Sequence, residues 1–255
     1  MKNSPEVLVI IPAYNEEKNI GKVLESIKKL DISDELDVLV INDCSKDNTA
    51  LVVKNYGYNV VNHIYNLGYG CGLQTGYRYA VKNNYSYVIQ MDADGQHDVS
   101  NIENIYRELL TTDEEGRCPD IVLGSRFMEN SPKYHSAFSK IVAYALFRMM
   151  IKLWTGCCIK DPTTGLQGLN KKAFTYYAGY KHFDDKYPDA NMITQMLLLG
   201  YKINEIPALM HERADGVSMH SGIKPFMYMF RMTYSIIAVG VRIKLFHKGS
   251  EGENA

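Results

Sequence analysis

The sequence predicts an α/β fold, a single Rossmann-like, mostly parallel sheet flanked by helices, with C-terminal amphipathic helices. Apolar strand-like runs alternate with amphipathic segments, the pattern of βαβ construction. The 255 residues are 46% hydrophobic and 22% charged, enough for one large core. No internal repeat, low-complexity stretch or linker interrupts the alternation. Val7–Ile11 reads as the first strand, followed by a helix from about Glu16 to Leu30 with Ile20, Val23, Leu24 and Ile27 on one face. Val38–Ile41 is the second strand, Asp47-Asn48-Thr49 caps the next helix, Asn59–Val61 is a short third strand, and residues 72–81 are helical. Tyr87–Met91 and Ile121–Gly124 supply the fourth and fifth strands. Ser136–Leu153 is a long amphipathic helix, Phe174–Tyr177 lies on a short one, Asp189–Leu199 is a helix stopped by Gly200, and Lys202–Pro207 returns as a strand. The chain divides into residues 1–220, the sheet domain, residues 221–248, an amphipathic helix for a membrane interface or an oligomer, and a disordered tail at 249–255.

A formal net charge of −1 argues against nucleic acid as a partner. Cys44, Cys71, Cys118, Cys157 and Cys158 have no zinc-type spacing, and an adjacent pair makes a poor disulfide, which fits a reducing cytosol. The first six residues lead into a strand without a long apolar stretch or a small-residue cleavage site. No signal peptide is therefore expected, and the active domain is placed inside the cell.

Asp92-Ala93-Asp94, at the end of the apolar run Tyr87–Met91, brings two carboxylates to the mouth of a buried strand. Alternate strand residues face one side, so both can converge on one ligand. Two close carboxylates need a cation or proton between them, and hard oxygen donors at the carboxyl edge of a sheet suit Mg²⁺ or Mn²⁺ carrying a diphosphate. A solvated Asp-rich turn, helped by Gly95, is the plain alternative. The first strand ends in Pro12-Ala13-Tyr14-Asn15-Glu16-Glu17 and not in G-x-G-x-x-G, which disfavours a dinucleotide oxidoreductase. Tyr14 instead offers an aromatic face, and Asn15 and Glu16 offer acceptors, for a base and ribose. Asp43, after the second strand, is placed to accept from a nucleobase imide or a ribose hydroxyl, or else forms an Asx turn, and Asp47 reads as a helix N-cap.

These segments together resemble family 2 glycosyltransferases of the GT-A fold, close to dolichyl- and polyprenyl-phosphate sugar synthases. The resemblance runs from Val7 to about Ser218. It rests on P-A-Y-N-E-E, the D-x-S-x-D-x-T turn at 43–49, Asn66-Leu67-Gly68-Tyr69-Gly70, the D-A-D-G-Q-H block at 92–97, Gly124-Ser125-Arg126, Asp161-Pro162-Thr163-Thr164-Gly165 and Arg213-Ala214-Asp215-Gly216-Val217-Ser218, in the family's order. It implies that Pro12, Tyr14, Glu16 and Asp43 line a nucleoside pocket, that Gly68 and Gly70 let the chain approach the nucleotide, and that Asp92 contacts ribose or metal. Asp94 and Gln96 would hold the metal with the diphosphate, and Arg126, Arg213 and Ser218 would serve the phosphates or the acceptor. Asp189 stands where the family places an acidic residue beneath the sugar, as a base for a hydroxyl acceptor or to orient the sugar for a phosphate acceptor; a bare helix N-cap is the other reading. Tyr69 stands where lysine is common, Met219 where a basic residue is common, and Asn42 where an acidic one is often seen.

The implied activity is inverting transfer of a sugar from a nucleotide-diphosphate sugar, a UDP-sugar by preference over GDP, to polyprenyl phosphate in cell-surface glycan synthesis. Transfer to a saccharide or other hydroxyl acceptor is the alternative, and a non-catalytic sugar-nucleotide-binding scaffold the less favoured one. Residues 136–153 carry Phe138, Ile141, Leu146, Met149 and Met150 with Lys140, Arg148 and Lys152, and residues 224–248 mix aromatic and aliphatic side chains with Lys224, Arg231, Arg242, Lys244 and Lys248 and no acid. Such helices suit an anionic membrane surface, here the inner face of the cell membrane. The apolar part is too short to span a bilayer. Packing on the domain, a homo-oligomer interface or an integral membrane partner is the competing reading.

Overall fold

The computed structural model describes residues 6–129, 131, 138–211 and 224–246. The first strand, β1 (Val7–Ala13), is buried along its whole length, as a central strand covered by helices on both faces must be. It pairs in parallel with β2 (Leu36–Asn42) on one side and β4 (Tyr87–Gln90) on the other, and β3 (Asn59–Asn62) adds to β2. Beyond β4, β6 (Gln167–Asn170) runs antiparallel, followed by β5 (Ile121–Ser125) and β7 (Ile203–Pro207). The seven-stranded order is β3-β2-β1-β4-β6-β5-β7. The mostly parallel sheet is therefore as expected, with one inserted antiparallel strand.

Strand alternation sorts the core into two layers. Leu8, Ile10, Leu39 and Ile41 face α3 (Tyr69–Lys82), α5 (Phe138–Thr155), α6 (Lys171–Ala178), α7 (Ala190–Leu198) and α8 (Lys224–Phe246). Val7, Val9, Ile11, Val38 and Val40 face α1 (Ile20–Ile27), α2 (Thr49–Asn55) and α4 (Ser100–Leu110). The first helix begins at Ile20 and not at Glu16; ahead of it the backbone N–H groups of Asn15, Glu16 and Glu17 donate to Ser45 Oγ, Thr49 Oγ1 and Asp47 Oδ2, which tie this turn to the segment after β2. Helix α8 lays Met232, Ile236 and Ile243 into the core and leaves Met227, Phe230, Tyr234, Ile237, Val241 and Leu245 exposed. One face packs on the domain and the opposite face is apolar and open. None of the described helices is long and apolar enough to cross a membrane. All five cysteines are free thiols. The boundary drawn at residue 220 and the tail at 249–255 lie outside the described residues.

Candidate active site

Strands β1, β2 and β4 are parallel neighbours, so the segments that follow them gather at one edge of the sheet. The first two are sewn together. Besides the three bonds above, Lys46 N–H donates to Asn15 Oδ1 and Asn48 N–H to Glu17 Oε2. Two non-glycine residues there, Asn15 (φ 57°) and Cys44 (φ 61°), adopt the left-handed backbone that L residues rarely take. In this turn Pro12 is buried, Glu16 is half-buried, and the Tyr14 ring is 44% exposed.

Asp43 is turned inward. Its carboxylate accepts from the backbone N–H of Leu67 (2.9 Å) and Gly68 (2.8 Å), and His63 Nδ1 lies 2.7 Å away with its Nε2 2.9 Å from Thr75 Oγ1. Asp43 thus clamps the 66–70 loop to β2, and the wall it forms is backbone as much as carboxylate. The residue before it, Asn42, donates to Asn62 and accepts from Ser45 N–H, a role for an amide with both donor and acceptor. Gly68 takes φ 96°, and at Gly70 a Cβ would lie 2.2 Å from the Asp184 carbonyl oxygen. The glycine at 70 is required by the 184–185 backbone, independently of any ligand.

Asp92 follows β4 with its side chain about one-third exposed (34%). Tyr69 Oη donates to Oδ1 at 2.9 Å and His97 Nε2 lies 3.4 Å from Oδ2. The tyrosine in the lysine position therefore holds the carboxylate by its hydroxyl. Burial raises the Asp92 carboxyl, but the bond and charge of His97, the Tyr69 hydroxyl and the charge of Arg126 outweigh it and leave the group below its ordinary value. A Cβ at Gly165 would lie 2.7 Å from Asp92 Oδ2 and 3.1 Å from Tyr69 Oη, so the 161–165 loop can close this side only with glycine there. Asp94 is buried and accepts from Gln96 N–H at 3.0 Å. The segment 208–211 runs beside this block, with His211 N–H donating to the Gln96 carbonyl and its ring bonded to Asp98. Arg213 and Ser218 lie outside the described residues.

Arg126 is 12% exposed and engages Asp161 through both Nε and Nη2, each at 2.7 Å, with a further bond to Thr163. A fully buried Asp161 fixes the guanidinium in place by the bidentate fit arginine favours. Arg126 is thus oriented by the protein itself, and its charge still reaches Asp92 and Asp189. Asp189 occupies the N-cap position of α7 yet its side chain does not cap the helix. Its Oδ2 accepts from Tyr228 Oη of α8 at 2.7 Å. Burial pushes its carboxyl up to about 6, the Tyr228 hydroxyl and Arg126 opposing the rise and the charges of Asp92 and Asp184 adding to it. Burial and the Asp92 charge likewise keep the Tyr69 phenol protonated as a donor. Asp92, Asp189, Arg126 and Tyr69 are thus one electrostatic unit, with Asp94 and Gln96 beside it. Sequence reading missed Asp161 as the partner of Arg126, His97, His63 and Tyr228; the first three lie in or near motifs already noticed, whereas nothing in the sequence ties residue 228 to residue 189.

A profile of the family described as glycosyl transferase family 2 matches residues 8–177. The chain belongs to that family. An uncharacterized protein of Methanocaldococcus jannaschii is 30% identical over 210 residues, 80% of this chain and 81% of the relative. A dolichyl-phosphate beta-glucosyltransferase of Trichomonas vaginalis is 28% identical over 95% of this chain and 76% of its own, and an undecaprenyl-phosphate mannosyltransferase of Micrococcus luteus is 28% identical over 85% and 88%. The GT-A-like fold is that of glucosyl-3-phosphoglycerate synthase from Mycobacterium tuberculosis, solved with Mn²⁺, UDP-glucose and phosphoglyceric acid (TM-score 0.67, 18% identity, 95% of this chain and 80% of that one).

For a family 2 glycosyltransferase, the oxygen-only donors Asp92, Asp94 and Gln96 fit a hard divalent ion such as Mg²⁺ or Mn²⁺. Among the described residues no three His, Cys, Asp or Glu side chains form a closed cage. An ion here would complete its shell with diphosphate and water, as Mg²⁺ prefers. Tyr69 and His97 are then the outer partners that set the Asp92 carboxylate.

Proposed function

We propose that this chain is an inverting glycosyltransferase that moves a sugar from a UDP-sugar to a polyprenyl phosphate, in the synthesis of cell-surface glycans. The observation that carries the reading is the geometry of the site: Asp92, after β4, held by Tyr69 and His97, Arg126 oriented by Asp161, and Asp189 turned away from its helix onto Tyr228. The names of the Trichomonas and Micrococcus relatives support the lipid acceptor. In this reading Pro12, Tyr14, Glu16 and the loop clamped by Asp43 hold the nucleoside, and Asp92, Asp94 and Gln96 hold Mg²⁺ or Mn²⁺. The bound ion supplies charge that offsets the negative charge growing on the leaving diphosphate. Asp189 lies on the far side of the sugar and fixes it for attack at the anomeric carbon. A phosphate acceptor is already anionic at neutral pH, so the attack needs no general base. Arg126, with Arg213 and Ser218, meets the acceptor phosphate.

The donor base is tested by competition. UDP at a given concentration will displace a bound fluorescent nucleotide-sugar in the presence of Mn²⁺ and lose that ability in EDTA, whereas GDP competes more weakly. Equal competition by both nucleotides would remove the preference for UDP, and metal-independent competition would remove the cation from the site.

The same reading places the protein peripherally on the inner face of the cell membrane, through the open face of α8. Its exposed residues 227, 230, 234, 237, 241 and 245 recur at helical spacing, flanked by Arg231, Arg242 and Lys244. A cleft of about 390 Å³ along the helix is lined in part by Arg231 and Arg242 and by one carboxylate, Asp184, 3.9 Å from Arg231, and the excess of positive charge suits anionic headgroups. The protein will float with phosphatidylglycerol vesicles and remain at the bottom with phosphatidylcholine, and Phe230→Ser with Leu245→Ser will abolish flotation. A protein that stays unbound to both vesicles contradicts the membrane assignment, and a concentration-dependent dimer in its place makes the face an oligomer interface.

A further inference from the structure

We infer that Tyr228, on the C-terminal helix, is a positioning residue for Asp189, so that α8 completes the active site as well as covering the domain. The inference rests on the reading of Asp189 proposed above. It starts from an anomaly at the start of α7. An aspartate at an N-cap position ordinarily turns its carboxylate back onto the N–H groups of the first helical turn. Asp189 has φ −117° and ψ −121° and makes no such bond. The capping work is done from within the helix by Asn191, which is 1% exposed. Its Oδ1 accepts from Asp189 N–H (3.0 Å) and Met192 N–H (2.9 Å), while its Nδ2 donates to Asp184 Oδ2 (2.8 Å) and Ser235 Oγ (2.9 Å). Asn191 thus joins the helix start to the 184 loop and to α8. The Asp189 carboxylate is released from the helix and given to Tyr228.

The tyrosine is itself held. Its ring meets Phe147 of α5 edge-on at 6.0 Å and Tyr187 edge-on at 5.3 Å, and Arg231 lies over the Tyr187 ring at 5.3 Å while its guanidinium is 3.9 Å from Asp184. Ring contacts of this kind fix a phenol in direction as well as in depth. The hydroxyl can then present one donor to Asp189 Oδ2 and set the plane of the carboxylate. A carboxylate set by a fixed donor is worth more to a reaction than one free to rotate, since small misplacements of a reacting group are costly in rate.

Tyr228→Phe keeps the ring and its contacts and deletes the one hydroxyl. The expected result is a fall in kcat of about 10- to 100-fold with the donor KM changed by less than about twofold. The thermal midpoint will stay within a few degrees of the parent, whereas the packing control Leu109→Ala, on α4 in the other core layer and away from Tyr228, will lower it and leave the kcat of the protein that remains folded near the parent value. The inference is overturned if Tyr228→Phe turns over at the parent rate, or if its loss of kcat comes with the same drop in thermal midpoint as Leu109→Ala. Asp189→Asn separates this inference from the reading beneath it. Near-normal turnover in Asp189→Asn would defeat the role of Asp189 itself, while loss of turnover in Asp189→Asn with parent turnover in Tyr228→Phe would defeat the role of Tyr228 alone.

Discussion

Asp94→Asn will lower sugar transfer by at least about 10³-fold while the protein stays folded. The asparagine amide oxygen can still accept the bond that Asp94 Oδ1 takes from Gln96 N–H at 3.0 Å, so the turn survives. What is lost is one negative charge and one hard donor at the place where Asp92, Asp94 and Gln96 would hold the cation and the diphosphate. A stabilisation of charge that develops only in the transition state costs several kcal/mol when removed, and each 1.4 kcal/mol is about tenfold in rate. Calorimetry of UDP with Mn²⁺ should show the same loss, with the thermal midpoint unchanged in EDTA. Turnover close to that of the parent would remove Asp94 from the mechanism.

Asp189→Asn will be both inactive and more stable than the parent at neutral pH. The carboxyl is held at about 6 by burial, above its ordinary 3.8, with Asp92 and Asp184 facing it as like charges and Arg126 and the Tyr228 hydroxyl opposing them. The folded protein therefore binds its proton more tightly than the unfolded chain does. Stability falls as pH rises from the unfolded value through about 6, and above that the full cost of ionising the buried group is present. A shift from 3.8 to about 6 corresponds to roughly 2–3 kcal/mol at most. Asparagine keeps an acceptor for Tyr228 and removes the charge. The thermal midpoint of Asp189→Asn in EDTA will exceed the parent's at pH 8, and the gap will close as pH is lowered below 6. A gap that is absent at pH 8 or independent of pH would show that the carboxyl is not held up in the fold. Stability set aside for a charged group is a common trade at active sites.

Much of this was legible in the chain, and for physical reasons. The inner strands of a sheet covered on both faces are short apolar runs, and β1, β2, β4 and β5 announce themselves so. Motifs that follow those strands are brought to one edge by the topology alone, which is why Asp92, Asp94, Gln96 and the turns at 12–17 and 42–49 group together from the sequence. The antiparallel β6 was invisible because Gln167-Gly168-Leu169-Asn170 is four residues with one large apolar side chain, and only its pairing with β4 and β5 makes it a strand. Helix α4 carries Ile102, Ile105 and Leu109 on one face, a pattern present in the sequence and passed over. The partners of the site residues were the harder part. Asp161 beneath Arg126, Tyr69 on Asp92 and Tyr228 on Asp189 are contacts across 35, 23 and 39 residues. Sequence spacing carries no signal for such pairs, and the glycine at 70, read as room for a ligand, proves to be room for the 184–185 backbone.

The measurement that tests the central claim most directly is the chemical identity of the transferred product. The protein is incubated with a labelled UDP-sugar, Mn²⁺ and undecaprenyl phosphate, and the lipid extract is analysed by mass spectrometry and NMR. The predicted result is a metal-dependent glycosyl lipid phosphate whose anomeric configuration is opposite to that of the donor. Label recovered only as free sugar or on a water-soluble saccharide, or a lipid product that retains the donor's configuration, would contradict it.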